Sequence, residues 1–156
     1  PQSRSLPDMV EEARQALATV KSAFPDHCLP VFVPPWNTIG SNLLEQLHGI
    51  GYRGLSCRSD DAPTLLRPSK GLIQADRHLD PMQLANVALV ENRLGAQLRD
   101  GAPGPVGIVS HHRGFGPETW AYLEELLSML AHHPAVRFVR ARDIFIPNDP
   151  ELPMTR

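Results

Sequence analysis

Leu29-Pro30-Val31-Phe32-Val33-Pro34-Pro35-Trp36-Asn37 is the stretch that decides the fold class of this chain. Three consecutive apolar residues lie between prolines, without the alternation of a half-exposed strand. Such a run reads as a short strand buried on both faces, which is the habit of parallel sheets. Pro34 and Pro35 stop it, because proline has no N–H to offer a ladder. On its amino-terminal side a helix is expected. It starts at Pro7-Asp8, and Val10, Ala13, Leu17, Val20 and Phe24 repeat at helical spacing. Glu11 and Glu12 are read into its first turn, where negative charge suits the helix dipole. Pro25 ends it.

The same grammar continues toward the carboxyl end. Ser41 or Asn42 is expected to cap a short helix carrying Leu43, Leu44, Leu47 and Ile50, closed by Gly49 and Gly51. Residues 52–57 form a second strand, 58–70 a polar loop, and 71–75 a third strand running toward His78-Leu79-Asp80-Pro81. A helix with Leu84, Val87, Ala88, Leu94 and Leu98 on one face follows. Val106-Gly107-Ile108-Val109-Ser110 is the fourth strand. A helix from Pro117 turns Trp120, Leu123, Leu126, Leu127 and Leu130 inward and stops at Pro134. Residues 136–139 are the fifth strand. Alternating helices and short apolar strands predict an α/β fold, mainly parallel, in one domain over residues 1–146 with a proline-containing tail at 147–156.

Composition narrows the function classes. The 156 residues carry a net charge of -2, which argues against a strongly basic nucleic-acid binder. No apolar run approaches the roughly 20 residues of a membrane span. Cys28 and Cys57 are placed at opposite ends of neighbouring strands, roughly 15 Å apart at about 3.3 Å per residue. That is beyond disulfide reach, so two free thiols are expected. Reduced thiols lean toward the cytoplasm, an address that nothing else in the chain specifies.

In parallel α/β folds, ligand sites lie beyond the carboxyl ends of the strands. That rule selects Pro35, Trp36 and Asn37 after the first strand, and Arg77, His78 and Asp80 after the third. His111, His112 and Arg113 follow the fourth, and Arg142 and Asp143 the fifth. His111 is the foremost candidate, since imidazole transfers protons near neutral pH and Asp80 can orient it. Neighbours in an extended chain face opposite sides, so only one of His111 and His112 points into a site. The His132-His133 pair ends a helix, where cations are favoured by the dipole alone. The chain has no His-x-x-x-His and no Cys-x-x-Cys; Asp80, His78 and His111 are residue types that can share a metal, but histidine and aspartate are common at strand ends and no metal ligand is assigned.

Taken in order, four motifs resemble the polysaccharide deacetylase family, carbohydrate esterase family four. They are Val31-Phe32-Val33-Pro34-Pro35-Trp36-Asn37, Gly51-Tyr52-Arg53-Gly54-Leu55-Ser56, His78-Leu79-Asp80-Pro81 and Gly107-Ile108-Val109-Ser110-His111-His112. The resemblance runs from about Leu17 to Phe145. It implies a distorted (β/α) barrel and metal-assisted hydrolysis of N- or O-acetyl groups on a carbohydrate substrate. It also implies catalytic roles for His111, as general acid toward the leaving group, and for Asp80, as its support. Pro35, Trp36, Asn37, His78 and His112 become substrate-binding candidates, with Pro34-Pro35-Trp36 as one wall of the groove. The family's aspartate-tryptophan pair is absent beside His78.

A complete member of this family holds a divalent metal, usually zinc, through an aspartate and two histidines of two earlier motifs. Those motifs have no counterpart here, and Asp60-Asp61 lies in the wrong place in the order. A full eight-unit barrel takes about 250 residues. The chain is therefore expected to be a carboxyl-terminal portion of such a catalytic domain, a partial and distorted barrel. Its exposed edges call for a missing amino-terminal segment, with a homo-oligomer or other barrel-completing subunit and an open sheet as the alternatives. The competing function is a non-catalytic carbohydrate-binding or barrel-completing subunit.

Overall fold

A computed structural model describes residues 4–57, 68–69, 71–75, 77–80, 92, 95, 105–111 and 113–147. The chain divides into two compact units. The first comprises Pro1–Cys57, Leu66–Ala75 and Ala141–Arg156; the second comprises Arg58–Leu65 and Asp76–Arg140.

In the first unit, helix α1 spans Leu6–Ala23. The Ser5 hydroxyl accepts from the Asp8 N–H at 3.3 Å, satisfying one of the donors that every helix start leaves free. Pro7 in the first turn costs no hydrogen bond there. The first-turn acid is Asp8 rather than Glu11 or Glu12. Glu11 instead accepts from Gln15 at 2.9 Å and pairs with Arg14. Those partners, the Gln15 amide first, hold its carboxyl below the usual range. Ala13 and Leu17, four residues apart, form the buried stripe. Val20 and Phe24 were expected on that stripe but are exposed, because the buried face of the helix ends at Leu17.

Strand β1 is Val31–Phe32, and a 3-10 turn at Pro35–Asn37 follows it. Helix α2, Ser41–Ile50, begins at Gly40 with no side-chain cap; Ser41 and Asn42 lie inside its first turn, contrary to the capping expected of them. Gly51 closes α2 in the left-handed region at φ 116°, which favours a residue without a Cβ. Strands β2, β3 and β4 are Gly54–Leu55, Pro68–Ser69 and Leu72–Gln74. The sheet order is β1-β2-β4-β3. The first three strands are parallel, with Val31 opposite Gly54 and Gly54 opposite Ile73. Strand β3 adds antiparallel to β4, with Ser69 opposite Leu72 across a tight turn that Gly71 enters at φ 81°.

Leu47, Leu55 and Leu72 are completely or almost completely buried, so α2, β2 and β4 share one core with Ala13 and Leu17. Tyr52 joins it. Its ring meets Phe32 edge-on at 5.2 Å, and its hydroxyl donates to the Ala13 carbonyl at 2.9 Å. Burial of the phenol, then the nearby Cys28, raise its pKa above the ordinary tyrosine value. Cys28 and Cys57 are not joined in a disulfide. A Cβ on Gly54 would collide with the Phe145 ring and approach Val31 to 2.9 Å. Phe145 belongs to the short helix Ala141–Phe145, which follows the second unit in the chain and belongs to the first.

In the second unit, β5 (Arg77–Leu79) pairs in parallel with β6 (Gly107–Ile108), with an irregularity between Arg77 and Leu79. Helix α3, Pro117–His132, buries Leu123, Leu126 and Leu130 at spacings of three and four. Leu126 and Leu130 pack with Val106, Ile108, Tyr122 and Val136. Trp120 was expected to face inward. Instead it is 45% exposed and sets its ring edge-on against Phe115 at 5.1 Å. Residues 136–139 form no strand; Phe138 and Val139 are exposed, so composition alone misled there. The helix carrying Leu84 to Leu98 lies outside the described residues except at 92 and 95, both helical.

The observed fold is thus mixed helix and strand, and the sheet of the first unit is open, with three parallel strands. Among the described residues no helix is long and apolar enough to cross a membrane.

Candidate functional site

The second unit brings two of the predicted site residues together. Asp80 follows β5 directly, and His111 follows β6 by three residues. Because β5 and β6 are parallel, both leave their strands at the carboxyl end; the strand that precedes Asp80 is β5, which was not expected and which holds Arg77 and His78 within it rather than after a strand at 71–75. His111 Nε2 stands 3.3 Å from Asp80 Oδ2. The carboxylate side chain is only 9% exposed, whereas the imidazole is 46% exposed. A nearly buried acceptor therefore holds one edge of a ring whose other edge reaches solvent. At 3.3 Å the contact is at the long end of N–H···O geometry, so it orients the ring more than it binds it. The His111 carbonyl accepts from the Gly114 N–H at 2.7 Å. This closes a tight turn, which fixes the backbone that carries the imidazole and leaves Arg113 exposed.

The first unit holds a different feature. A cleft of about 620 Å³ opens between α1 and residues 32–43. Pro34 is buried at its wall, and Pro35 and Thr38 line it on either side of Trp36. Trp36 is 91% exposed and holds φ 57°, ψ 14°. That left-handed conformation is uncommon for a residue with a Cβ, and a bulky one pays a steric cost to keep it. Among the described residues, the charged ones that line the cleft, Arg4 and Glu12, pair with each other at 2.7 Å.

Of the other predicted residues, His112 lies outside the described residues, as do the side chains of Asn37 and His78. Arg142 and Asp143 fall on the short helix Ala141–Phe145, in the first unit. His132 turns Nδ1 to the Ser128 carbonyl at 2.7 Å, which occupies it locally. Sequence reading missed the cleft itself. Its walls come from positions spread over 40 residues, and only the apolar residues around Pro34 hinted at it. Among the described residues no group of three or more His, Cys, Asp or Glu side chains is placed to hold a metal ion. No family model matches this chain, and no curated protein or solved structure matches it.

Proposed function

We propose that this chain is a portion of a metal-assisted hydrolase of the polysaccharide deacetylase type, acting on N- or O-acetyl groups of a carbohydrate. On this reading, its parallel strands are arcs of a distorted (β/α) barrel. The single observation that carries the reading is the Asp80–His111 pair at the carboxyl ends of β5 and β6. It supports an acid–base role because a carboxylate 9% exposed and an imidazole 46% exposed divide the work. The carboxylate orients the ring, while the exposed edge meets the substrate. With Nε2 turned toward Asp80, Nδ1 is the nitrogen that would hand a proton to the departing amine or alcohol.

A divalent metal in such an enzyme polarises the acetyl carbonyl and acidifies a water. The described residues of this chain do not assemble a site that fits one. No step is therefore derived through it, and the chemistry assigned to this chain is proton delivery and substrate contact. Trp36 offers an exposed aromatic face for a sugar ring, and Pro35 shapes the wall beside it. The same exposed indole favours a second reading, a carbohydrate-binding subunit without catalysis.

Acetate release from acetylated glycans separates the two, measured on the whole protein that carries this sequence, with and without added zinc. The hydrolase reading expects His111→Ala to lower turnover by about 10²–10⁴-fold with glycan binding retained. Glycan binding with no acetate release under any divalent metal would leave the binding reading and sink the hydrolase.

A further inference from the structure

We infer that the cleft of the first unit takes the apolar chain of an uncharged amphiphile whose sugar head lies on Trp36. This deepens the proposed function and rests on its assignment of Trp36 to a carbohydrate; it adds that the carbohydrate carries an alkyl or acyl group.

Four observations converge on that ligand chemistry. The cleft, at about 620 Å³, is within the range of sites that enclose a small molecule. Much of its lining is apolar: Met9, Ala13 and Ala16 from α1, and Phe32 and Val33 from β1 and the residue after it. Apart from the Arg4–Glu12 pair, the polar side chains of its lining are uncharged and close together in sequence. Thr38, Ser41 and Asn42 bring two hydroxyls and an amide, groups that exchange hydrogen bonds with sugar hydroxyls and carry no charge to oppose. They follow Trp36 within six residues, on the turn and first helical positions that succeed it. The rim agrees with them. Arg4 and Glu12 pair at 2.7 Å, so the described lining carries no net charge and suits an uncharged occupant.

Trp36 supplies the last element. Its side chain is 91% exposed, so packing within the fold does not demand an indole there, yet the backbone holds it at φ 57°. An aromatic displayed at a conformational cost, on a turn whose flanking residues line a cavity, is arranged for contact with something outside the chain. A sugar ring covers the indole, hydroxyls meet residues 38–42, and the chain runs inward against α1.

The test is calorimetric titration of the 156-residue chain with three probes: n-octyl β-D-glucoside below its micelle concentration, methyl β-D-glucoside, and 1-octanol. Octyl glucoside is expected to saturate and to bind at least about tenfold more tightly than methyl glucoside, since each buried methylene contributes. It should also bind more tightly than octanol. Trp36→Ala should weaken both glucosides about fivefold and leave octanol unchanged. Ala16→Phe, at an exposed helical position on the cleft wall, should abolish the advantage of the octyl chain and spare methyl glucoside. Val33→Ser, at an exposed position, provides a second variant with the same expected direction. Equal affinity for the two glucosides would overturn the inference and leave the carbohydrate reading standing. Octanol binding as tightly as octyl glucoside, with Trp36→Ala silent, would overturn both. So would the absence of saturable binding by any of the three.

Discussion

Tyr52→Phe isolates one buried hydrogen bond and should cost about 1 kcal/mol. The Tyr52 hydroxyl donates to the Ala13 carbonyl at 2.9 Å and ties the segment just beyond α2 to the middle of α1. The substitution removes the donor and its desolvation together, so no buried polar hydrogen is stranded. Ala13 lies within α1, so its carbonyl keeps its place in the helical ladder. The ring stays, and with it the edge-on contact to Phe32 at 5.2 Å. Only the net worth of a neutral hydrogen bond is lost. Urea unfolding of both proteins measures it, with the slope unchanged and the midpoint lower. Alkaline pH supplies the sharper half of the prediction. Burial, then Cys28, raise the Tyr52 pKa in the folded state above the value near 10 of an unfolded tyrosine. Between those two values the folded state binds the extra proton, so stability falls as pH rises. The contribution is complete below pH 10 and is lost through the folded pKa. Phenylalanine cannot ionise, so the variant should lose stability less steeply above pH 10, and the gap between the two proteins should narrow. An unchanged gap from pH 8 to 11 would refute the burial argument. A loss above about 3 kcal/mol would show that the ring had moved, since that is the scale of an emptied aromatic site.

Three further outcomes test the packing and the candidate pair. Leu47→Ala, at a side chain with no exposed surface, should destabilise by about 2–5 kcal/mol and lower the midpoint of thermal unfolding by several degrees. Gly54→Ala should destabilise by about 1–3 kcal/mol because its methyl group meets Phe145 and Val31; Phe145→Leu in the same chain should recover part of the loss, and a purely additive double variant would contradict that contact. A double-mutant cycle on Asp80→Asn and His111→Gln should give a coupling energy below about 1 kcal/mol, since half of the imidazole is in solvent. A coupling of 3 kcal/mol or more would mark the pair as structural and weaken its assignment to proton transfer.

The legible elements share a physical trait: each declares itself within a few residues. Helix α1 announces its start at Pro7-Asp8 and its stop at Pro25, and Gly51 marks the end of α2. Strands β1, β2 and β4 are short apolar runs, wholly or partly buried, which is why their parallel sense was legible in the sequence; their order in the sheet was not. Strand β3 was read as loop because Pro68 and Ser69 have no strand propensity; they are extended only because β4 offers an edge across the turn at Gly71. The error at residues 136–139 is the converse. Val136, Phe138 and Val139 have the composition of a buried strand, yet Phe138 is 60% exposed and the run joins no ladder. A strand needs a partner as well as a propensity, and the partner is not written in the same window.

That distinction also explains why the two candidate sites differed in legibility. Asp80 and His111 are 31 residues apart, but each lies within three residues of the end of a short strand. Parallel pairing of β5 with β6 is then enough to bring both to one edge, so a rule about strand ends finds the pair without coordinates. The cleft has no such rule. Its walls combine one face of α1 with the end of β1 and the first turn of α2, and its neutrality depends on Arg4 reaching Glu12 eight residues along. Trp36 was visible in sequence as an aromatic after a strand. Its left-handed backbone was not, because Pro34-Pro35 restrict themselves and the residue before them and say little about the residue after. What makes Trp36 informative is therefore its cost: a side chain exposed and strained at once gains nothing from the fold that carries it, so the reason for it lies in what it contacts.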